Sequence, residues 1–297
     1  MRPNRFGAVE STMSNRQNSD NKNEKNLYKN RFFRTAKYDL SWILANEMGP
    51  NPLWLLEGLT EKMTVSKDHR VLDLGCGRAL TSVFLAREFQ ARVLANDLWI
   101  SADDNWKRIR EAELTDRVFP IHAEAHNLPY AAKFFDSVIS IDAYQYFGTD
   151  DLYLGYISRF VKDGGHIGLV MPALMQEIDE PPLHLTKLRS SEDGASPSGS
   201  AFWDPAECWC FHTLEWWIRH FTRPELVDIE VAEVVEDGWK LWRDWEVIRD
   251  GGGNTGFRSE APTLDEDGGR YIGFVQLVLK KRPSKDRPFD HSLNIRL

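Results

Sequence analysis

An α/β fold, with a mostly parallel seven-stranded sheet and helices on both faces, is predicted by three observations. From Arg70 onward, short apolar runs alternate with helix-length segments. A glycine loop follows the first apolar run, at the strand-to-helix turn where open α/β sheets receive their ligands. No internal repeat and no membrane-length apolar run competes with this reading.

The elements follow in order. Strands are expected at Val71–Leu74, Ala91–Ala95, Val118–His122, Asp136–Ile141 and His166–Val170, with helices at Leu80–Phe89, Ala102–Glu113 and Leu152–Phe160 between them. Right-handed crossovers then fix the hand of the sheet. Residues 173–212 contain Pro181-Pro182 and a Ser/Gly/Pro stretch at 190–200; this is too long for a simple connection and reads as a lid insertion after the fifth strand. Thr213 caps a helix to His220, Leu226–Val234 is a sixth strand and Trp239–Arg249 a helix. Asp250–Gly269 reads as a polar, Gly-rich loop before the last strand, Tyr271–Leu279.

Ahead of the sheet, a first helix is expected at Thr35–Met48. A second starts with Asn51 as N-cap and Pro52 in the first turn, and its apolar face is Leu53, Leu56 and Leu59. The chain thus divides into a flexible tail at 1–27, one domain at 28–282 and a polar tail at 283–297. Within the domain lie N-terminal helices (35–64), a core (68–172), the insertion (173–212) and the C-terminal part of the sheet (213–282).

Composition narrows the function. The 297 residues, 42% hydrophobic and 28% charged, suffice for one large domain with a sizeable core. With 37 Lys and Arg against 45 Asp and Glu, the net charge of −8 disfavours a phosphate backbone as partner, so no nucleic acid is expected. The N-terminus lacks the apolar core of a signal peptide, and no stable membrane insertion is expected. Three cysteines, Cys76, Cys208 and Cys210, suggest a reducing compartment and a cytoplasmic protein. Nothing in the sequence fixes the oligomeric state.

The strongest chemical signal is Val71-Leu72-Asp73-Leu74-Gly75-Cys76-Gly77-Arg78, a strand that ends in an acidic residue and turns through two glycines. Glycines there let the backbone approach a ligand closely. A dinucleotide fingerprint would place a third glycine where Leu80 stands, and Asp73 would repel a pyrophosphate. An acidic residue beside the glycines suits a cationic ligand with an amino group. Asp97, 20 residues after Gly77 at the end of the second strand, suits a carboxylate accepting ribose hydroxyls.

On these residues the stretch from Arg70 to Val170 resembles the class I S-adenosylmethionine-dependent methyltransferases of small-molecule type. Three further segments in that family's order strengthen the resemblance: Glu124-Ala125-His126-Asn127-Leu128-Pro129-Tyr130, Phe135-Asp136 entering the fourth strand, and Lys162-Asp163-Gly164-Gly165 entering the fifth. Ala79 stands where the family often has a third glycine. The resemblance implies a Rossmann-like fold and S-adenosylmethionine as cofactor, with S-adenosylhomocysteine as product. It implies that Asp73, Gly75, Cys76 and Gly77 meet the methionine part, that Asp97 takes the ribose, that Leu98 beside it is also cofactor-binding, and that Glu124 and Ala125 flank the adenine. It also implies that the N-terminal helices cover the acceptor.

In the same family the segment after the fourth strand, here Asp142-Ala143-Tyr144-Gln145-Tyr146, faces cofactor and acceptor. Asp142 and Tyr144 are the candidate catalytic residues, since each can hydrogen-bond an acceptor group; otherwise Asp142 braces the loop and Tyr144 packs. Some amine methyltransferases carry Asp-Ala followed by a His where Tyr146 stands. The cyclopropane synthases carry a Glu-His pair where Gln145-Tyr146 stands.

No metal is expected: Cys208, Cys210 and His212 lack the second cluster that a closed zinc site needs. Seven of the 11 tryptophans lie between Trp203 and Trp245, at helical spacing that suits a core, with a wall of an acceptor pocket as the other reading. The expected function is methyl transfer to a small-molecule amine, hydroxyl or carbon. The alternatives are a lipid-modifying relative of the cyclopropane fatty acid synthases and a non-catalytic S-adenosylmethionine-binding module.

Overall fold

The computed structural model describes residue 28 and residues 30–187, 201–251 and 259–283. The tail expected at 1–27, the C-terminal tail from 284 and the Ser/Gly/Pro stretch lie outside the described residues.

Two short helices, α1 (Leu40–Asn46) and α2 (Pro52–Thr60), precede the sheet. Then come β1 (Arg70–Leu74), α3 (Leu80–Phe89), β2 (Arg92–Asp97), α4 (Ala102–Glu111), β3 (Val118–His122), β4 (Phe135–Ile141), α5 (Tyr153–Ser158) and β5 (Val161–Leu174). After them lie α6 (Leu183–Thr186), α7 (Pro205–Cys208), α8 (Leu214–Thr222), β6 (Val227–Val234), α9 (Gly238–Gly251), α10 (Ala261–Asp267) and β7 (Ile272–Lys281).

The seven strands form one sheet in the order β3-β2-β1-β4-β5-β7-β6. The first five are parallel, and β7 inserts antiparallel between β5 and β6. The order runs outward in opposite directions from β1 and β4, so a crevice opens beyond their carboxyl ends.

Both faces of the sheet are covered. Val71, Val93 and Ile139 point to one side with Leu53, Leu56 and Phe84; Leu72, Leu74 and Val138 point to the other with Tyr153, Trp217 and Phe221. Two-sided burial explains why these strands read as continuous apolar runs rather than alternating ones. The C-terminal tryptophans are largely core: Trp217 and Trp245 are wholly buried, and Trp245 meets Trp54 of α2 edge-on.

Three boundaries differ from expectation. The first helix is divided: a 3-10 turn at Thr35–Lys37 ends in extended Tyr38, and α1 restarts where Asp39 caps the amides of Ser41 and Trp42. Strand β5 runs on to Leu174, because residues 171–174 pair with β7, so the insertion begins inside the sheet. Within the expected loop Asp250–Gly269 lies α10, with Pro262 in its first turn, Leu264 wholly buried and Gly268 closing it in the left-handed conformation.

Helix α2 is part of the core. Asn51 Oδ1 accepts from the amides of Leu53 and Trp54, and Leu53, Leu56 and Leu59 are wholly buried. Leu56→Ala should therefore destabilise the fold by about 2–5 kcal/mol, read as a lower denaturation midpoint with an unchanged slope. A change below about 0.5 kcal/mol, ordinary for surface positions, would place this helix outside the cooperative core.

Candidate active site

The crevice beyond β1 and β4 holds a cavity of about 340 Å³. Its walls come from four places: residues 74–78 of the glycine loop, residues 96–99 after β2, residues 123–126 after β3 and residues 141–143 after β4. The loop between α1 and α2 closes it with Met48, Gly49 and Pro50.

The glycine loop is held from below. Asp73 is buried at the end of β1, where its carboxylate accepts from the hydroxyls of Thr81 (2.6 Å) and Ser82 (2.5 Å) in the first turn of α3. Burial raises its pKa to about 6, against the lowering by those two hydroxyls. Asp73 is thus a brace beneath the loop and does not line the cavity, unlike Gly75, Cys76 and Gly77. Gly75 adopts φ +74°, and a Cβ there would come within 2.4 Å of the Ala143 Cβ. The loop and the turn after β4 consequently touch backbone to side chain.

Asp97 lies in the floor. One carboxylate oxygen accepts from Gly77 N (2.8 Å), the other from Trp99 N (2.7 Å) and Ile100 N (2.9 Å). It ties the turn after β2 to the glycine loop, and one lone-pair site of its carboxylate remains for a hydroxyl donor. The Leu98 carbonyl is bonded by the His122 ring (2.7 Å). Glu124 and Ala125 line the side, with the Glu124 carboxylate 3.5 Å from His126 Nδ1.

Asp142 faces the glycine loop from the end of β4. It sits at φ +54°, a strained conformation for a residue other than glycine, and is fixed by its amide bond to the Val170 carbonyl (2.8 Å). Gln145 Nε2 donates to its carboxylate at 3.3 Å. Desolvation pushes the carboxyl up to about 7, against that one hydrogen bond. Gly49 permits the close approach of the α1–α2 loop, since a Cβ there would lie 2.9 Å from Asp142 Oδ2. Tyr144 goes elsewhere: it is wholly buried among Phe147, Tyr153, Trp217 and Phe221, and its hydroxyl has no hydrogen-bond partner among the described residues. Of the two candidate catalytic residues, only Asp142 lines the cavity.

The sequence reading did not single out Asn46, Met48, Trp99, His126 and Tyr146, all of which line the cavity. Tyr146 was legible from its position after Asp142. Trp99 was legible only as a large apolar residue directly after the Asp97 turn. Among the described residues the tryptophan that lines this cavity, Trp99, lies outside the C-terminal cluster. Among the described residues, no three His, Cys, Asp or Glu side chains converge as metal ligands; Cys208 and Cys210 point their thiols at the carbonyls of Phe202 and Glu207. No helix among the described residues is long and apolar enough to cross a membrane.

Comparison with known proteins agrees with this architecture. Residues 71–165 match a methyltransferase-domain family model. Methyltransferase GfsG of Streptomyces halstedii is 30% identical over 131 residues, covering 42% of this chain and 46% of that protein. The erythromycin 3''-O-methyltransferase of Saccharopolyspora erythraea is 28% identical over 198 residues, covering 64% of this chain and 61% of that protein. The chain thus spans less than two thirds of either relative. The geranyl diphosphate C-methyltransferase of Streptomyces coelicolor, solved with S-adenosylhomocysteine, superposes with a TM-score of 0.57 at 16% identity, over 76% of this chain and 78% of that one. Residues 71–165 are thus similar in sequence to methyltransferase domains, and the fold as a whole is that of solved S-adenosylmethionine-dependent methyltransferases.

Proposed function

We propose that this protein binds S-adenosylmethionine in the cavity and transfers its methyl group to an oxygen of a small-molecule acceptor. The wall residues fit that cofactor. Gly75 and Gly77 let the backbone line the cavity without side chains, the Asp97 carboxylate keeps one lone-pair site for a ribose hydroxyl, and Glu124 and Ala125 line the wall after β3 where the flat base would lie. When bound, S-adenosylmethionine supplies an activated methyl group whose bond to sulfur breaks with the electron pair left on sulfur.

The chain's own part is to orient the acceptor, keep water out and take a proton. The observation that carries the reading is Asp142: one carboxyl, held opposite the glycine loop, with its pKa raised to about 7. A base of that pKa accepts a hydroxyl proton as the oxygen attacks, and becomes largely unprotonated as pH rises beyond about 7. Tyr144 is left a packing role, and Gln145 orients the Asp142 carboxylate. Choice of oxygen rests on this base and on the named reaction of the erythromycin 3''-O-methyltransferase; a sulfonium acting on an already neutral amine would need no such group.

The pH dependence follows with a definite sign. The charged carboxylate is the active form, so methylation should rise with pH through about 7 and level off above it. Tyr146, Cys210 and Glu260 share its field; burial chiefly raises their pKa values, and the Asp142 charge adds to that in the same direction. A panel of hydroxyl-bearing molecules, assayed with methyl-labelled S-adenosylmethionine across pH 5.5–9, tests this. Transfer to amines alone, or a rate that falls through pH 7, would contradict the assignment.

A further inference from the structure

We propose that the cavity mouth is the subsite for the acceptor's body, and that it takes an uncharged, apolar body too large to enter the cavity. This rests on the reading of methyl transfer at Asp142. Four of the twelve exposed large apolar side chains among the described residues stand on this one rim: Met48 (46% exposed), Leu98 (50%), Trp99 (73%) and Tyr146 (43%). They come from three separate segments, the α1–α2 loop, the turn after β2 and the turn after β4. Scattered apolar residues need no explanation, but a cluster around the opening of a cavity marks a binding surface.

The Trp99 and Tyr146 rings lie 6.2 Å apart at 48°, forming one aromatic edge beside Asp142. Apart from Asp142, the charged wall residues have partners within the protein: Arg78 donates to the Ala45 carbonyl (3.3 Å), Asp97 accepts from three amides, and Glu124 stands against His126. Volume supplies the second argument. A cavity of about 340 Å³ lies at the lower end of the range of about 300–1,000 Å³ for ligand sites, so it has room for one ligand at a time. Only the reacting hydroxyl of an acceptor then reaches Asp142, and the rest of the molecule must lie across the rim. Trp99 and Tyr146 thus determine specificity through contact with the acceptor's body.

Isothermal titration with linear alcohols from 1-hexanol to 1-decanol, with and without saturating S-adenosylhomocysteine, tests this on the full chain. Affinity should rise by about fourfold per added methylene, the effect of burying one such group. The Trp99→Ala/Tyr146→Ala double variant should lose at least about tenfold of the 1-decanol affinity, the share expected of two aromatic contacts, and flatten the dependence on chain length. Glycerol should bind to neither form. A chain-length dependence identical in the parent and the double variant, or no dependence at all while S-adenosylhomocysteine still binds, would overturn the proposal. If instead S-adenosylhomocysteine fails to bind while the rim-dependent alcohol series persists, the methyl-transfer reading falls and the apolar subsite stands.

Discussion

Asp142→Asn should lower kcat by about 10²–10⁴-fold, the range contributed by a positioned general base, while cofactor affinity stays close to that of the parent. The substitution is nearly isosteric. Asn keeps an oxygen to accept from Gln145 Nε2, and it tolerates the left-handed backbone at φ +54° better than most residues. What it loses is the ability to take a proton. The pH profile separates this role from a structural one: the parent's rate climbs through about 7, whereas the residual rate of the variant should be flat across that range. Gln145→Leu removes the one hydrogen bond that lowers the Asp142 pKa, so the parent's rising limb should move to higher pH. A variant at position 142 that turns over normally, with an unshifted pH limb, would remove Asp142 from the chemistry.

The second large effect is expected at the cavity floor. Asp97→Ala should weaken S-adenosylmethionine binding by about 1.5–3 kcal/mol, roughly 10- to 150-fold, the usual loss for a charged hydrogen-bonding partner. Two causes act together. The variant lacks the carboxylate set to receive a hydroxyl donor, and it leaves the amides of Gly77, Trp99 and Ile100 without their acceptor. The second cause should also lower the melting temperature, so affinity is to be measured by calorimetry well below the variant's transition. Cofactor bound as tightly as by the parent would mean that the ribose does not lie on Asp97.

The alternating β–α pattern was legible because a strand buried on both faces leaves an unbroken apolar signature, and Val71–Leu74 and Asp136–Ile141 carry it clearly. The cavity walls drawn from the glycine loop, the β2 end and the β3 end were legible because ligand-facing turns fall directly after strands. Asp73 and Tyr144 show where that logic stops. Adjacent residues on a strand end point to opposite sides, and spacing alone does not say that Asp73 turns under the loop toward Thr81 and Ser82, or that Tyr144 enters an aromatic cluster. The α1–α2 loop was hidden for a different reason. Met48 and Gly49 reach Asp142 only through tertiary packing of α2, whose contribution is a contact across more than 90 positions of sequence. Helix α10 was missed because its seven residues, in which Ala261 and Leu264 stand among Thr, Asp and Glu, carry little apolar periodicity, although Pro262 and Gly268 mark both of its ends.

Calorimetric titration of the unmodified chain with S-adenosylmethionine, S-adenosylhomocysteine and NAD tests the central claim most directly. The account predicts one site per chain for the first two ligands, mutual competition between them, and no heat from NAD, whose pyrophosphate finds Leu80 where a third glycine would be needed. Absence of binding by both sulfur ligands, or saturable binding of NAD in their place, would contradict it.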